Sequence, residues 1–151
     1  MITIIGFEEK YAADFRRLNM EWLDAYQLLE SHDLLVLNDP QGNVLDRGGY
    51  IYLAMAQGEI VGSAALMKEH GDQYELAKMS VAPSFRGQGI SKLLLERCLE
   101  TAREIGVKKL ILYSNSQLVT AIKLYTRYGF RHVPAVDTPF VTADVKMELD
   151  L

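Results

Sequence analysis

The stretch Met79-Ser80-Val81-Ala82-Pro83-Ser84-Phe85-Arg86-Gly87-Gln88-Gly89-Ile90-Ser91-Lys92-Leu93-Leu94 runs from an apolar strand through a glycine-bearing loop into a helix. Upstream, Gln73 to Val81 reads as the strand. Downstream, Ile90 to Ile105 carries apolar residues at helical spacing and is closed by Gly106, the residue type favoured just past a helix end. The first turn of such a helix has four amide hydrogens without intrahelical partners and carries partial positive charge, which suits a phosphate. Glycine lets the backbone approach a ligand closely. The segment has neither the Gly-x-x-x-x-Gly-Lys-Ser/Thr spacing of a P-loop nor the third glycine of the dinucleotide fingerprint. The glycines alone are equally consistent with a tight strand-to-helix turn.

On the N-terminal side, Tyr50 to Ala56, Ile60 to Met67 and Gln73 to Val81 read as strands, separated by Gln57-Gly58-Glu59 and His70-Gly71-Asp72. Connections this short join antiparallel neighbours, because a parallel return needs about a dozen residues or more. Residues 2 to 5 alternate weakly and predict a first strand. Phe15, Leu18, Trp22, Leu23, Tyr26 and Leu29 recur at threes and fours, predicting one or two helices between Glu8 and Leu29. Ser31 to Gly49, with Asn38-Asp39-Pro40 and Gly48-Gly49, is turn-rich and reads as a surface loop. On the C-terminal side come a short strand, Lys109 to Tyr113, a helix, Leu118 to Tyr128, that ends at Gly129, and one or two strands within Val133 to Leu149. Strand, loop, helix, strand from Gln73 to Tyr113 is a βαβ-like crossover. The order therefore predicts an α/β fold: a mixed, mostly antiparallel central sheet with helices on both faces.

The chain has 151 residues, about half of them apolar, and no linker or repeat divides it, so one domain over 1–151 is expected. A net charge of -4 argues against nucleic acid or an anionic membrane as the main partner and leaves room for a cationic substrate. Met1 to Gly6 lacks the basic flank and apolar run of a signal peptide, and no stretch is long and apolar enough to span a bilayer, so a cytoplasmic location is expected. Cys98, the single cysteine, lies among leucines and reads as a buried thiol, not a nucleophile. His32, His70 and His132 are scattered without ligand spacing, and no metal is expected.

The block Met79 to Leu94 resembles the acetyl-coenzyme A signature of the GNAT family of N-acetyltransferases, a strand ending in Val-x-Pro followed by Arg/Gln-x-x-Gly-x-Gly/Ala at the start of a long helix. Arg86 and Gly89 meet that pattern, and Ser91 replaces the usual small Gly or Ala at its last position. A second block, Asn115-Ser116-Gln117-Leu118-Val119-Thr120-Ala121-Ile122-Lys123-Leu124-Tyr125-Thr126-Arg127-Tyr128-Gly129-Phe130, resembles the family's Ala-Ile-x-Leu-Tyr-x-x-x-Gly-Phe signature. The resemblance covers roughly Tyr74 to Phe130. It implies that amides of Arg86, Gly87, Gln88, Gly89, Ile90 and Ser91 hold the pyrophosphate, with Lys92 adding charge. It also implies that the main chain of Met79, Ser80 and Val81 pairs with the pantetheine arm as an added strand would.

The resemblance further implies acetyl-CoA as cosubstrate and an amine as acceptor, so the amine must become neutral and the departing thiolate must be stabilised. Tyr125 matches the family tyrosine near the sulfur and is the expected general acid. Tyr128 reads as packing. Glu75 is the expected base, placed by two-residue alternation on the same strand face as Ala77, Met79 and Val81, with a solvent-exposed glutamate at the strand edge as the alternative. Asn115 is expected to hold the pantetheine or acyl carbonyl, with a turn-forming role as the alternative, and Ala121 joins the cofactor-binding positions. Glu21, Asp24, Glu30 and Asp33, interleaved with Trp22 and Tyr26, form either a solvated helix face or the lining of a pocket for a cation. The leading functional reading is an N-acetyltransferase acting on a primary amine of a small molecule or peptide in a ternary complex. Its rivals are a non-catalytic acyl-CoA-binding sensor or partner module of the same fold, and a structural domain with a fortuitous glycine turn. Family members often pair through their C-terminal strands, so a homodimer is compatible with the resemblance.

Overall fold

A computed structural model describes residues 1–151. Seven strands share one sheet in the order β1-β2-β3-β4-β5-β7-β6. They are β1 (Ile2–Gly6), β2 (Tyr50–Ala56), β3 (Glu59–Lys68), β4 (Gln73–Val81), β5 (Lys109–Ser114), β6 (Arg131–Val133) and β7 (Val145–Asp150). Short turns make β2, β3 and β4 an antiparallel meander, as predicted. Helix α4 (Ile90–Glu104) carries the chain across to β5, which therefore pairs parallel with β4. That pairing covers only Gln73–Glu75 against Lys109–Ile111. Beyond it β4 and β5 diverge and leave a V-shaped opening in the middle of the sheet.

Alternation along the strands divides the core between the two faces. Helix α1 (Ala12–Ala25) buries Phe15, Leu18 and Leu23 against Ile51, Leu53 and Ala65. On the opposite face α4 buries Leu94, Leu95, Cys98 and Leu99 against Ala54, Leu66, Leu76 and Leu112, joined by Tyr125 of helix α5 (Val119–Arg127). Each buried leucine or phenylalanine contributes about 1.5–3 kcal/mol relative to an exposed one. Cys98 is wholly enclosed, and desolvation pushes its thiol up to about 12, so it is an inert core residue. No helix is long and apolar enough to cross a membrane.

Two expectations need correction. Ser31 to Gly49 is not a loop: it folds into helix α2 (Ser31–Asn38), a single turn α3 (Pro40–Asn43) and a 3-10 turn (Leu45–Arg47). Leu34 to Leu37 form an unbroken apolar run without helical period, yet α2 buries Val36 and Leu37 against α1 and the sheet. Its start is marked by Asp33, whose Oδ2 accepts from the amide of Glu30 at 2.9 Å. The second correction concerns β4. Its register against β3 slips between Ala77, opposite Ala65, and Ser80, opposite Ser63, which inserts one residue. Lys78 takes a left-handed conformation there (φ 53°), so alternation is interrupted. Glu75, Ala77 and Ser80 face α1 and α2, whereas Met79 and Val81 pack on the α4 side, so Glu75 does not share a face with Met79 and Val81.

Candidate active site

The bulge is held by a small polar cluster. Ser63, fully buried, donates to the carbonyl of Lys78 at 2.7 Å and lies 3.0 Å from the Ser80 hydroxyl, while Asn19 of α1 donates to Ser63 at 3.1 Å. Because the single Ser63 proton is spent on Lys78, the Ser80 hydroxyl donates to Ser63. These bonds fix a lysine where L-residues are strained, and the twist turns Lys78 toward α2. Its ammonium pairs with the buried Asp33 carboxylate and lies 5.4 Å from the Phe140 ring centroid.

The opening between β4 and β5 is a cleft of about 840 Å³ lined by both strands and by α1, α4 and α5. At one end stands the start of α4. Gly87 and Gly89 adopt φ of 79° and 78°, which only glycine takes without strain, and the amides from Gly87 to Lys92 make no backbone hydrogen bond. Of these six consecutive donors, those of Gly87, Gly89, Ile90, Ser91 and Lys92 belong to residues that line the cleft, at the positive end of a fifteen-residue helix. The β5-side edge of β4 from Leu76 to Val81 has no strand beside it, leaving main-chain groups open to an extended ligand.

Glu75 and Tyr125 lie deeper. Glu75 is 4% exposed and lines the cleft. Burial raises its pKa to about 8, helped by the neighbouring Glu69 carboxyl and by Asp33, and opposed by Lys78. Tyr125 is 7% exposed, packs edge-on against Phe130 at 5.8 Å, and also lines the cleft. Desolvation, with a smaller push from Cys98, raises its pKa, so it holds its proton firmly. No polar side-chain atom is both buried and unpaired, so the Tyr125 hydroxyl, which has no protein partner, opens to the cleft.

Of the sequence-derived positions, Glu75, Met79, Ser80, Val81, Arg86, Gly87, Gly89, Ile90, Ser91, Lys92, Asn115, Ala121 and Tyr125 all line this one cleft, and Gln88 does not. Asn115 has both ends of its amide engaged: Nδ2 donates to Thr142 O at 2.8 Å and Oδ1 accepts from Gln117 N at 3.1 Å. Tyr128 is turned away and donates to Glu96 at 2.8 Å. The acidic residues of the first helical region separate. Asp33 reaches the cleft already neutralised by Lys78, while Glu30 accepts from the amides of Val141 and Thr142 and from the Thr142 hydroxyl. With Asn115, and with Ser116 bound to Asp144, Glu30 holds residues 134–144 over the cleft. That loop brings in Phe140, which packs against His32 and Tyr113. Sequence reasoning missed Phe140, Tyr113 and Lys78. Only Lys78, a lysine within a largely apolar strand that also carries Glu75, left a signal.

Comparison with known proteins points the same way. The model of the acetyltransferase (GNAT) family matches residues 9–130. An uncharacterised N-acetyltransferase of Escherichia coli, YjgM, is 37% identical over 94 residues, 60% of this chain and 56% of that one, so the chain spans about half the length of this curated relative. A GNAT-family acetyltransferase structure from Staphylococcus aureus superposes with a TM-score of 0.90 at 22% identity, covering 100% of this chain and 99% of that one. The PaiA N-acetyltransferase of Thermoplasma acidophilum, solved in complex with coenzyme A, gives 0.77 at 17% identity, covering 100% and 99%.

Proposed function

Because this chain belongs to the acetyltransferase (GNAT) family, we propose that it moves an acetyl group from acetyl-CoA to a primary amine of a small molecule or peptide, by direct attack in a ternary complex. The observation that carries this reading is the joint placement of unpaired helix-terminal amides, an open strand edge and the buried Glu75 and Tyr125 along one cleft. Acetyl-CoA, when bound, supplies an activated acyl group on a thiol leaving group. The amides of Gly87 to Lys92 take its pyrophosphate, and Arg86 and Lys92 add charge at the rim. Main-chain groups of Met79 and Val81 pair with the amide-bearing arm, which directs the thioester toward Tyr125. Glu75 lies at the floor on the α1 and α2 side, where the acceptor enters beside Trp22, Tyr26 and Phe140. It accepts the proton that the amine sheds, and Tyr125 gives one to the sulfur as the carbon–sulfur bond breaks. The buried Cys98 offers no nucleophile for a covalent acyl-enzyme.

A panel of amines assayed with acetyl-CoA for free-thiol release tests the proposal. Release that depends on one class of amine is expected. Tight acetyl-CoA binding with no release from any amine would reduce the protein to an acyl-CoA-binding module.

A further inference from the structure

Glu75 closes the cleft floor, and behind it stands a carboxyl group that the cleft does not touch. Glu69 follows β3, two residues past Met67, the register partner of Glu75, and so lies on the same sheet face. Its amide donates to Gln73 O at 2.9 Å, which anchors it at the β3–β4 turn. Glu69 is half-buried and absent from the cleft lining, while Glu75 is nearly sealed and lines it. The two carboxyl groups are diagonal neighbours on that face, and the charge of Glu69 adds to the rise in the Glu75 pKa. Two neighbouring carboxyl groups, one of them buried, disfavour a second negative charge and so favour a proton held on Glu75. Around it stand Asp33 of α2 and Lys78 of β4, which pair with each other, and Tyr113 of β5.

We propose that Glu75 and Glu69 form a proton relay that carries the proton leaving the acceptor amine from the cleft floor to solvent at the β3–β4 turn. The proposal rests on the transferase reading above. The proton balance requires such an exit: an ammonium and a thioester give an amide, a thiol and one free proton. The ammonium passes a proton to the cleft-facing oxygen of Glu75 as the proton held on Glu75 moves to Glu69, which releases it to water. The neutral nitrogen then forms its bond to the acyl carbon and the carbon–sulfur bond breaks. Tyr125 protonates the sulfur and is restored by the second proton leaving nitrogen. In this scheme a Glu75 that already holds a proton still serves as the path for another. Glu69 acts through Glu75 and touches no substrate.

The experiment pairs carboxyl-carbon NMR titration of the free protein with turnover on the responsive amine. In the parent, Glu75 should titrate above the usual carboxylate range, and Glu69→Gln should move that titration down by removing the neighbouring charge. Glu69→Gln should also lower kcat by about tenfold, less than the about 100-fold or more of direct proton-transfer assistance because Glu75 remains in place, with the acid limb of the pH profile displaced and acetyl-CoA affinity unchanged. Glu69→Asp, which keeps an ionisable group, should recover much of the loss. An ordinary Glu75 titration in the parent overturns the pair, whatever the kinetics. An active parent whose Glu69→Gln variant keeps the same kcat and pH profile overturns the relay alone. A parent that binds acetyl-CoA but acetylates nothing ends the transferase reading and the relay's purpose together, with the NMR result still standing.

Discussion

Tyr125 keeps its proton because burial opposes the phenolate, and a phenol that resists ionisation can still hydrogen-bond to, or protonate, a nascent thiolate. Replacing it with phenylalanine preserves the ring that packs on Phe130 and removes only the hydroxyl. General-acid assistance is worth about 100-fold or more in most enzymes, but a thiolate leaves readily, so Tyr125→Phe should lower kcat by about 100-fold or less. Acetyl-CoA affinity, measured by calorimetry because KM need not equal a dissociation constant, should stay near the parent value. Tyr128→Phe, which loses only the surface bond to Glu96, is the control and should remain active. Full turnover by Tyr125→Phe, where chemistry limits the rate, would transfer the acid role to water or backbone amides. Lys78 shows a residue acting through conformation: it is a left-handed residue in a strand, and with the slip it produces, Ser80 comes to face α1 while Met79 turns away.

At the scale of elements, α2 and β4 are joined by the Asp33–Lys78 pair, both side chains nearly free of solvent. Removing one partner of such a pair leaves a buried charge and costs about 3–5 kcal/mol, whereas replacing both with apolar groups is often close to neutral. Asp33→Leu should therefore destabilise the fold by several kcal/mol in urea, and Asp33→Leu with Lys78→Met should recover most of that loss. If the double variant is as unstable as the sum of the singles, the pair is not coupled. These elements also mark what the sequence could disclose. The limits of β2 and β4, the helix after Gly89 and the crossover to β5 were legible because local period and glycine placement decide them. Helix α2 was not, since Leu34 to Leu37 lack a period and the helix depends on packing against α1. The glycine-loop end of the cleft was equally legible, because its unpaired donors are consecutive in the chain. The opposite end of the cleft assembles from α1, α2, β4, β5 and residues 134–144, and no local pattern announces that Phe140 sits over Lys78.

For the whole molecule, the divergence of β4 and β5 that opens the cleft also leaves a carboxyl group in the middle of the fold, and this makes stability depend on pH. Glu75 ionises near 4.5 when the chain is unfolded but only at about 8 when folded, chiefly because burial disfavours its charge. Between those values the native state binds the extra proton, so stability falls as pH rises through that window and levels off above it. The contribution is present in full below about 4.5 and lost beyond about 8. Other carboxylates, such as Glu30 with its lowered pKa, slope the opposite way at acid pH, so the parent curve alone does not isolate the effect. Glu75→Gln isolates it, because glutamine keeps the size of the protonated acid and never ionises. Urea midpoints at pH 5, 7 and 9 should show the variant close to the parent at pH 5 and increasingly more stable above it, by on the order of a few kcal/mol at pH 9. Acetyl-CoA should be left out of these measurements, because a ligand bound only by the native state adds its own stabilisation. Parallel curves for parent and variant would mean that Glu75 is ionised in the folded protein at neutral pH, through stronger help from Lys78 than burial allows, and Glu75 would then hold no proton to pass to Glu69.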